Sequence, residues 1–134
     1  MTIILGFDPG RDKCGVAVRN RDRAIVYHQV IESKEAISTI KKLCQQHQVE
    51  LIVMGDKTTA KSWFERLKTN LDTNLPIEMV DENNSTLEAR DRYWQMYPAT
   101  GLTRLIPQSL RTPPRPVDDI VAILLIERYL SIEH

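Results

Sequence analysis

Little in this chain advertises a destination or a covalent scaffold. Its two cysteines, Cys14 and Cys44, have no metal-type spacing and form no close pair. That argues against a disulfide framework or a cysteine zinc site and suits a reduced, cytoplasmic protein with two inert thiols. No apolar run approaches the ~18–20 residues of a membrane span, and the N-terminus lacks a signal-peptide pattern. We therefore expect no membrane partner. Net charge is also missing: 18 lysines and arginines balance 18 aspartates and glutamates, so no global basic field points to nucleic acid. Histidine is scarce, and neither His28 nor His47 has a partner at metal-ligand spacing. Metal-activated water is therefore a better prospect than histidine general-base catalysis.

What is present is a chain of 134 residues, 42% hydrophobic and 27% charged, enough for one domain (1–134) with a genuine core. It is organised around Ile3-Ile4-Leu5-Gly6-Phe7-Asp8-Pro9-Gly10, followed by a polar turn and Gly15-Val16-Ala17-Val18. The pattern reads as a buried strand, a tight turn and a strand running back. Asp8 is the one acid in the first strand and sits at its end, where burial is costly unless a cation or hydrogen-bond donors meet it. Its other reading is an Asx-type turn residue.

A polar turn over 20–23 leads to a third strand over 24–31, completing an antiparallel meander. Ser33 is placed to N-cap a helix running to about His47, with Ile37, Ile40 and Cys44 at helical spacing. Leu51-Ile52-Val53-Met54 has the continuous apolar character of a buried parallel strand. Gly55 to Thr59 turns into a second helix carrying Trp63, Leu67 and Leu71. Ile77 to Val80 forms a fifth strand that delivers Asp81-Glu82. Ser85-Thr86-Leu87-Glu88 reads as a capping box opening a third helix. The irregular stretch from Pro98 to Pro116 holds five of the seven prolines. A segment of that length is usually functional or disordered. A last helix starts near Pro116, and its 120–126 stretch is apolar nearly all round, so most of its sides should be covered.

Alternation after the meander implies parallel strands with right-handed crossovers. The expected fold is α/β: a mixed five-stranded sheet, three antiparallel meander strands then two parallel strands, with helices on both faces. Asp8 and Glu82 then lie at the carboxyl ends of parallel strands, where open α/β sheets bind ligands. Asp118 opens the last helix. Three clustered carboxylates raise one another's pKa unless compensated, and a hard divalent cation, Mg²⁺ or Mn²⁺, is the usual compensation. Such a site suits phosphodiester hydrolysis.

The opening Leu5-Gly6-Phe7-Asp8-Pro9-Gly10 with Gly15-Val16-Ala17-Val18 resembles that of the YqgF/RuvX family, relatives of the RuvC Holliday-junction resolvases. Val80-Asp81-Glu82 followed by Ser85-Thr86-Leu87-Glu88-Ala89-Arg90 resembles its second motif, and Val117 to Leu130 resembles its closing helix. The resemblance spans nearly the whole chain. It implies a ribonuclease H-like fold and a metal-dependent nuclease with Asp8, Glu82 and Asp118 as catalytic and metal-binding acids. It links the chain to pre-16S ribosomal RNA end processing or Holliday-junction resolution. Asp119 competes with Asp118, and the resemblance favours Asp118. The chain departs from the family at Asn83, where an arginine is common, and at Gly55-Asp56-Lys57, where many members have Gly-Leu-Pro.

The expected partner is structured RNA or branched DNA, with the protein a monomer or homodimer. Arg11 and Lys13 in the first turn, Lys57 after the fourth strand, and Arg104, Arg111 and Arg115 in the proline-rich stretch are candidate phosphate contacts, arginine being suited to a bidentate grip. Asp56 is read as a turn or N-cap residue, or a fourth acid. Trp63 and Trp94 fit core faces of helices. A non-catalytic nucleic-acid-binding or ribosome-assembly module is the alternative; a sugar-kinase or actin-like ATPase would need a second such domain.

Overall fold

The computed structural model describes residues 2–71 and 74–133. Five strands form one sheet: β1 (Ile4–Asp8), β2 (Lys13–Arg19), β3 (Ile25–Glu32), β4 (Leu51–Gly55) and β5 (Ile77–Val80). They lie in the order β3-β2-β1-β4-β5. The meander strands pair antiparallel, whereas β4 and β5 run parallel to β1 and to each other, as the alternation of elements requires. Helices α1 (Ala36–His47) and α2 (Ala60–Asn70) cover one face; α3 (Ser85–Met96) and α4 (Asp118–Glu133) cover the other.

Strand alternation sorts the side chains into these two layers. Leu5, Phe7, Val16, Val18, Ile52 and Met54 join the core beneath α1 and α2. Ile4, Ala17, Leu51, Val53 and Val80 join the core beneath α3 and α4. Two residues on from Gly6, Asp8 keeps the α4 side, and two residues on from Val80, Glu82 does the same.

Helix α4 explains its own composition. Ile120 through Ile126 are all buried, because the helix lies across the sheet and against α3. Its first turn comes so close to β2 that a Cβ on Gly15 would overlap the Asp118 carbonyl. Gly15 is the register partner of Asp8, so this contact sets Asp118 beside Asp8.

Two expected helix caps are revised. Ser33 does not N-cap α1: a 3₁₀ turn over Ser33–Glu35 precedes the helix, and the Ser33 hydroxyl donates to the Gly10 carbonyl at 2.8 Å. Tying down the β1–β2 turn satisfies that hydroxyl better than a helix end would. No capping box forms at α3. Asn84 precedes it at φ 60°, Ser85 is buried, and the Glu88 carboxylate pairs with Arg128 at 2.9 Å. Helix α4 starts near Pro116 as expected, two residues past it, with Val117 accepting its first backbone bonds.

The stretch from 98 to 116 contains two 3₁₀ turns, Gly101–Leu105 and Gln108–Leu110. No helix among the described residues is long and apolar enough to cross a membrane.

Candidate active site

Asp8, Glu82 and Asp118 meet at the carboxyl ends of β1 and β5, under the first turn of α4. Asp8 and Glu82 are buried; Asp118 is partly so. The Asp8 pKa is pushed up to about 8, first by burial and then by the Glu82 charge, with Asp118 adding to it. Burial likewise raises Glu82 and Asp118, against the pull of Lys57. Buried carboxyls crowded in this way ionise more readily when a positive charge stands beside them.

Lys57 is the side chain that reaches this cluster. Its Nζ stands 3.4 Å from Asp8 Oδ1 and 3.1 Å from Glu82 Oε2. Burial works against its charge, yet Asp8 and Glu82 outweigh it and raise the lysine pKa. One ammonium serves three acids. Both Glu82 carboxylate oxygens are buried without an aligned hydrogen-bond partner. Among the described residues no group of three or more His, Cys, Asp and Glu side chains is arranged to hold a metal ion with the side chains as they stand. By its chemistry the donor set suits a hard cation: clustered anionic oxygens, met by one lysine.

Two further residues position Glu82: Gly55, which sequence reasoning did not assign to the site, and Asp56, which it left as a turn or N-cap residue or a fourth acid. A Cβ on Gly55 would overlap the Glu82 carboxylate, so glycine there is what allows that carboxylate to lie flat against β4. Asp56 accepts the Glu82 backbone N–H at 3.2 Å, which makes it a support for the strand end. A strand-end glycine followed by an acid is the signal that would have found both. Asp81 turns outward and accepts the Asn83 N–H at 2.9 Å.

The α4 acids separate cleanly. Asp118 faces Asp8 and Lys57. Asp119 turns away, buried, and receives His28 Nδ1 at 2.6 Å on Oδ2 and Arg115 Nη1 at 3.0 Å on Oδ1. His28 thus has a partner 91 residues away in the chain, which no local spacing signals. The Arg115–Asp119 pair is i,i+4 and was legible in principle.

The basic candidates disperse. Lys57 joins the acids. Arg11 and Lys13 are exposed in the turn that follows Asp8, and Arg11 contacts Asp12 at 3.6 Å. Arg111 folds back on its own loop, donating to the Ile106 carbonyl at 2.8 Å while its guanidinium lies 5.5 Å from the Trp94 ring centre. Arg104 is exposed. Arg115 flanks Asp118 in a small cleft against α3. Trp63 is buried against Phe7, and Trp94 packs partly buried on the α4 core, as expected for core faces.

A family model described as "RuvX: Holliday junction resolvase" matches residues 2–132. Two proteins of Coxiella burnetii strains, each named "Putative pre-16S rRNA nuclease", are similar to this chain. The one from strain Dugway is 27% identical over 96% of this chain and 92% of its own length. The one from strain RSA 493 is 28% identical with the same coverage. Among solved structures, Thermus thermophilus RuvC in complex with a Holliday junction substrate superposes with a TM-score of 0.58 at 14% identity, covering 98% of this chain and 96% of that one. A second T. thermophilus RuvC structure gives 0.52 at 12% identity, covering 97% and 96%. These likenesses identify the ribonuclease H-like fold.

Proposed function

The chain belongs to the RuvX family, and from that premise we propose that it is a metal-dependent nuclease hydrolysing phosphodiester bonds in structured nucleic acid. The observation that carries this reading is the convergence of Asp8, Glu82 and Asp118 around a single lysine, with both Glu82 oxygens buried and Lys57 the one cation beside them among the described residues. Retained acids of this kind repel phosphate, so a pure binding module gains nothing from them. The names of the Coxiella relatives favour the ends of pre-16S ribosomal RNA as substrate; the family description favours a Holliday junction.

Asp8, Glu82 and Asp118 would hold Mg²⁺ or Mn²⁺, and a cation of that type supplies Lewis-acid activation of water and of the phosphodiester at neutral pH. The chain's own part is electrostatic. Asp8, at the sheet centre, gives the most buried charge. Gly55 and Asp56 hold Glu82 in place from below and behind. Lys57 offsets part of the negative charge and stands ready to contact a phosphate oxygen once the acids have another cation. Arg11 and Lys13, just after Asp8, and Arg115, beside Asp118, are the basic residues placed to orient the strand without specifying its sequence, while Arg104 and Arg111 would act only at a distance from the acids.

The test is cleavage of labelled ribosomal-RNA precursor ends and of a four-way DNA junction, each with Mg²⁺, Mn²⁺ or chelator. Asp8→Asn controls for contamination. Metal-dependent cutting of one substrate, absent in the variant, supports the reading and decides RNA against DNA. Binding without cutting under every condition overturns it in favour of an assembly module.

A further inference from the structure

Beside the acids, a cleft of about 210 Å³ opens between α3 and the end of the proline-rich stretch, lined by Thr86, Arg90, Thr112, Arg115 and Asp118. Thr86 and Arg90 are four apart on α3 and share its face. Arg90 is exposed and has no ion-pair partner among the described residues. Its neighbours differ: Arg92 grips Glu127 through both Nη atoms, and Arg128 pairs with Glu88.

Across the cleft Arg115 is held rigidly. Its Nη1 donates to the Pro116 carbonyl at 2.7 Å and to Asp119, which is itself braced by His28. The Tyr93 and Tyr97 rings lie 5.5 and 5.8 Å from the guanidinium. These bonds leave further N–H donors of the fork uncommitted. Such bracing removes much of the entropy cost of ordering an arginine on a ligand.

The lining of this cleft carries two arginines, two threonines and no acid other than Asp118, a composition suited to one tetrahedral anion. We propose that this cleft is a phosphate subsite. In it Arg90, Arg115, Thr86 and Thr112 hold a phosphate of the substrate strand next to the one processed at Asp8, Glu82 and Asp118. Asp119 and His28 act as positioning residues for Arg115. The inference rests on the nuclease reading for its substrate, and it adds residues that reading did not include. The phosphate comes either from within the strand or from its end. A diester and a terminal monoester share the chemistry.

The experiment measures binding of short RNA and DNA oligonucleotides to the full chain in chelator, so that nothing is cut. Each oligonucleotide carries either a 5′-phosphate or a 5′-hydroxyl. Arg90→Gln is expected to weaken binding about tenfold and to reduce the slope of log affinity against log salt by about 1, with Arg90→Lys restoring part of both. Because Arg90 is exposed, its variants should melt with the parent. Asp119→Asn should lower the salt slope as well, a readout that a purely structural role would not move. An Arg90 effect confined to the 5′-phosphorylated strand places a strand end in the cleft; an equal effect on both places an internal diester there. Unchanged affinity and slope in Arg90→Gln, with a parent that binds and cuts, overturns the subsite and leaves the nuclease standing. A lost Arg90 contribution with a parent that never cuts keeps the subsite and removes the catalysis. A parent that binds neither RNA nor DNA removes both.

Discussion

Asp8 is costly to the fold, a cost that the proposed metal site accounts for. With its carboxyl buried and pushed up to about 8 by burial and Glu82, it stabilises the folded chain as a neutral acid and strains it as an anion. Asp8→Asn removes the charge while keeping nearly the same volume. Cleavage should fall by more than about 100-fold, beyond what loss of a supporting residue costs, while the melting temperature at pH 8–9 holds or rises. A melting temperature several degrees lower would mean that Asp8 is structural. Gly55 gives the converse test. The atoms a Cβ would meet belong to the movable end of Glu82, so Gly55→Ala shifts the carboxylate at little cost in stability. Activity is expected to drop roughly 10–100-fold, with denaturant midpoints near those of the parent. An active Gly55→Ala enzyme would show that the Glu82 position does not matter.

At the scale of elements, the approach of α4 to the sheet is what assembles the acids. Gly15 faces backbone, the Asp118 carbonyl, which cannot swing aside as a side chain can. Gly15→Ala must lift the first turn of α4 off β2 and is expected to cost about 3 kcal/mol or more, read from urea unfolding. The same variant should lose cleavage even where it remains folded, because Asp118 moves with the turn. The proline-rich stretch matters for the opposite reason. It makes few packing contacts of its own, and Leu102, Leu105 and Leu110 are left largely exposed. It does carry Arg115 to the α4 entrance and holds Arg111 against Trp94.

For the whole molecule, the raised acids set the response to pH. Between the unfolded value near 4 and the folded value near 8, folded Asp8 binds more protons than unfolded Asp8. The slope of unfolding free energy with pH is therefore negative there. Glu82 and Asp118 are shifted in the same direction. In chelator, the melting temperature should fall as pH rises from 5 to 9, and Mg²⁺ or Mn²⁺ should flatten the decline by neutralising the same carboxylates. A chelated protein whose stability rises across that range would contradict the buried-acid account. We also propose that residues 1–134 fold as one domain. Circular dichroism and tryptophan fluorescence should then report one coincident unfolding transition, since Trp63 and Trp94 sit in the two cores on opposite faces of the sheet.

The sequence alone determined what depends on short-range periodicity. The apolar run that ends in Asp8 and the continuous apolar run of β4 specify strands. The all-round apolar 120–126 stretch specifies a covered helix, and the order of elements specifies the mixed sheet with Asp8 and Glu82 at its carboxyl edge. Local pattern failed where a polar group had two places to go. Ser33 and Ser85 looked like caps because the sequence shows only near neighbours; Ser33 found the Gly10 carbonyl, 23 residues back, and Ser85 became buried. The resemblance favoured Asp118 over Asp119, and the tertiary structure gives the reason that only one of them faces Asp8. Neighbouring helical residues point about 100° apart, and the rotational setting of α4 on the sheet is fixed by its fit over Gly15. Tertiary structure alone decided that His28 braces Asp119 and that Gly55 lies under Glu82. Those contacts join strands and helices distant in sequence, and only packing brings them within reach.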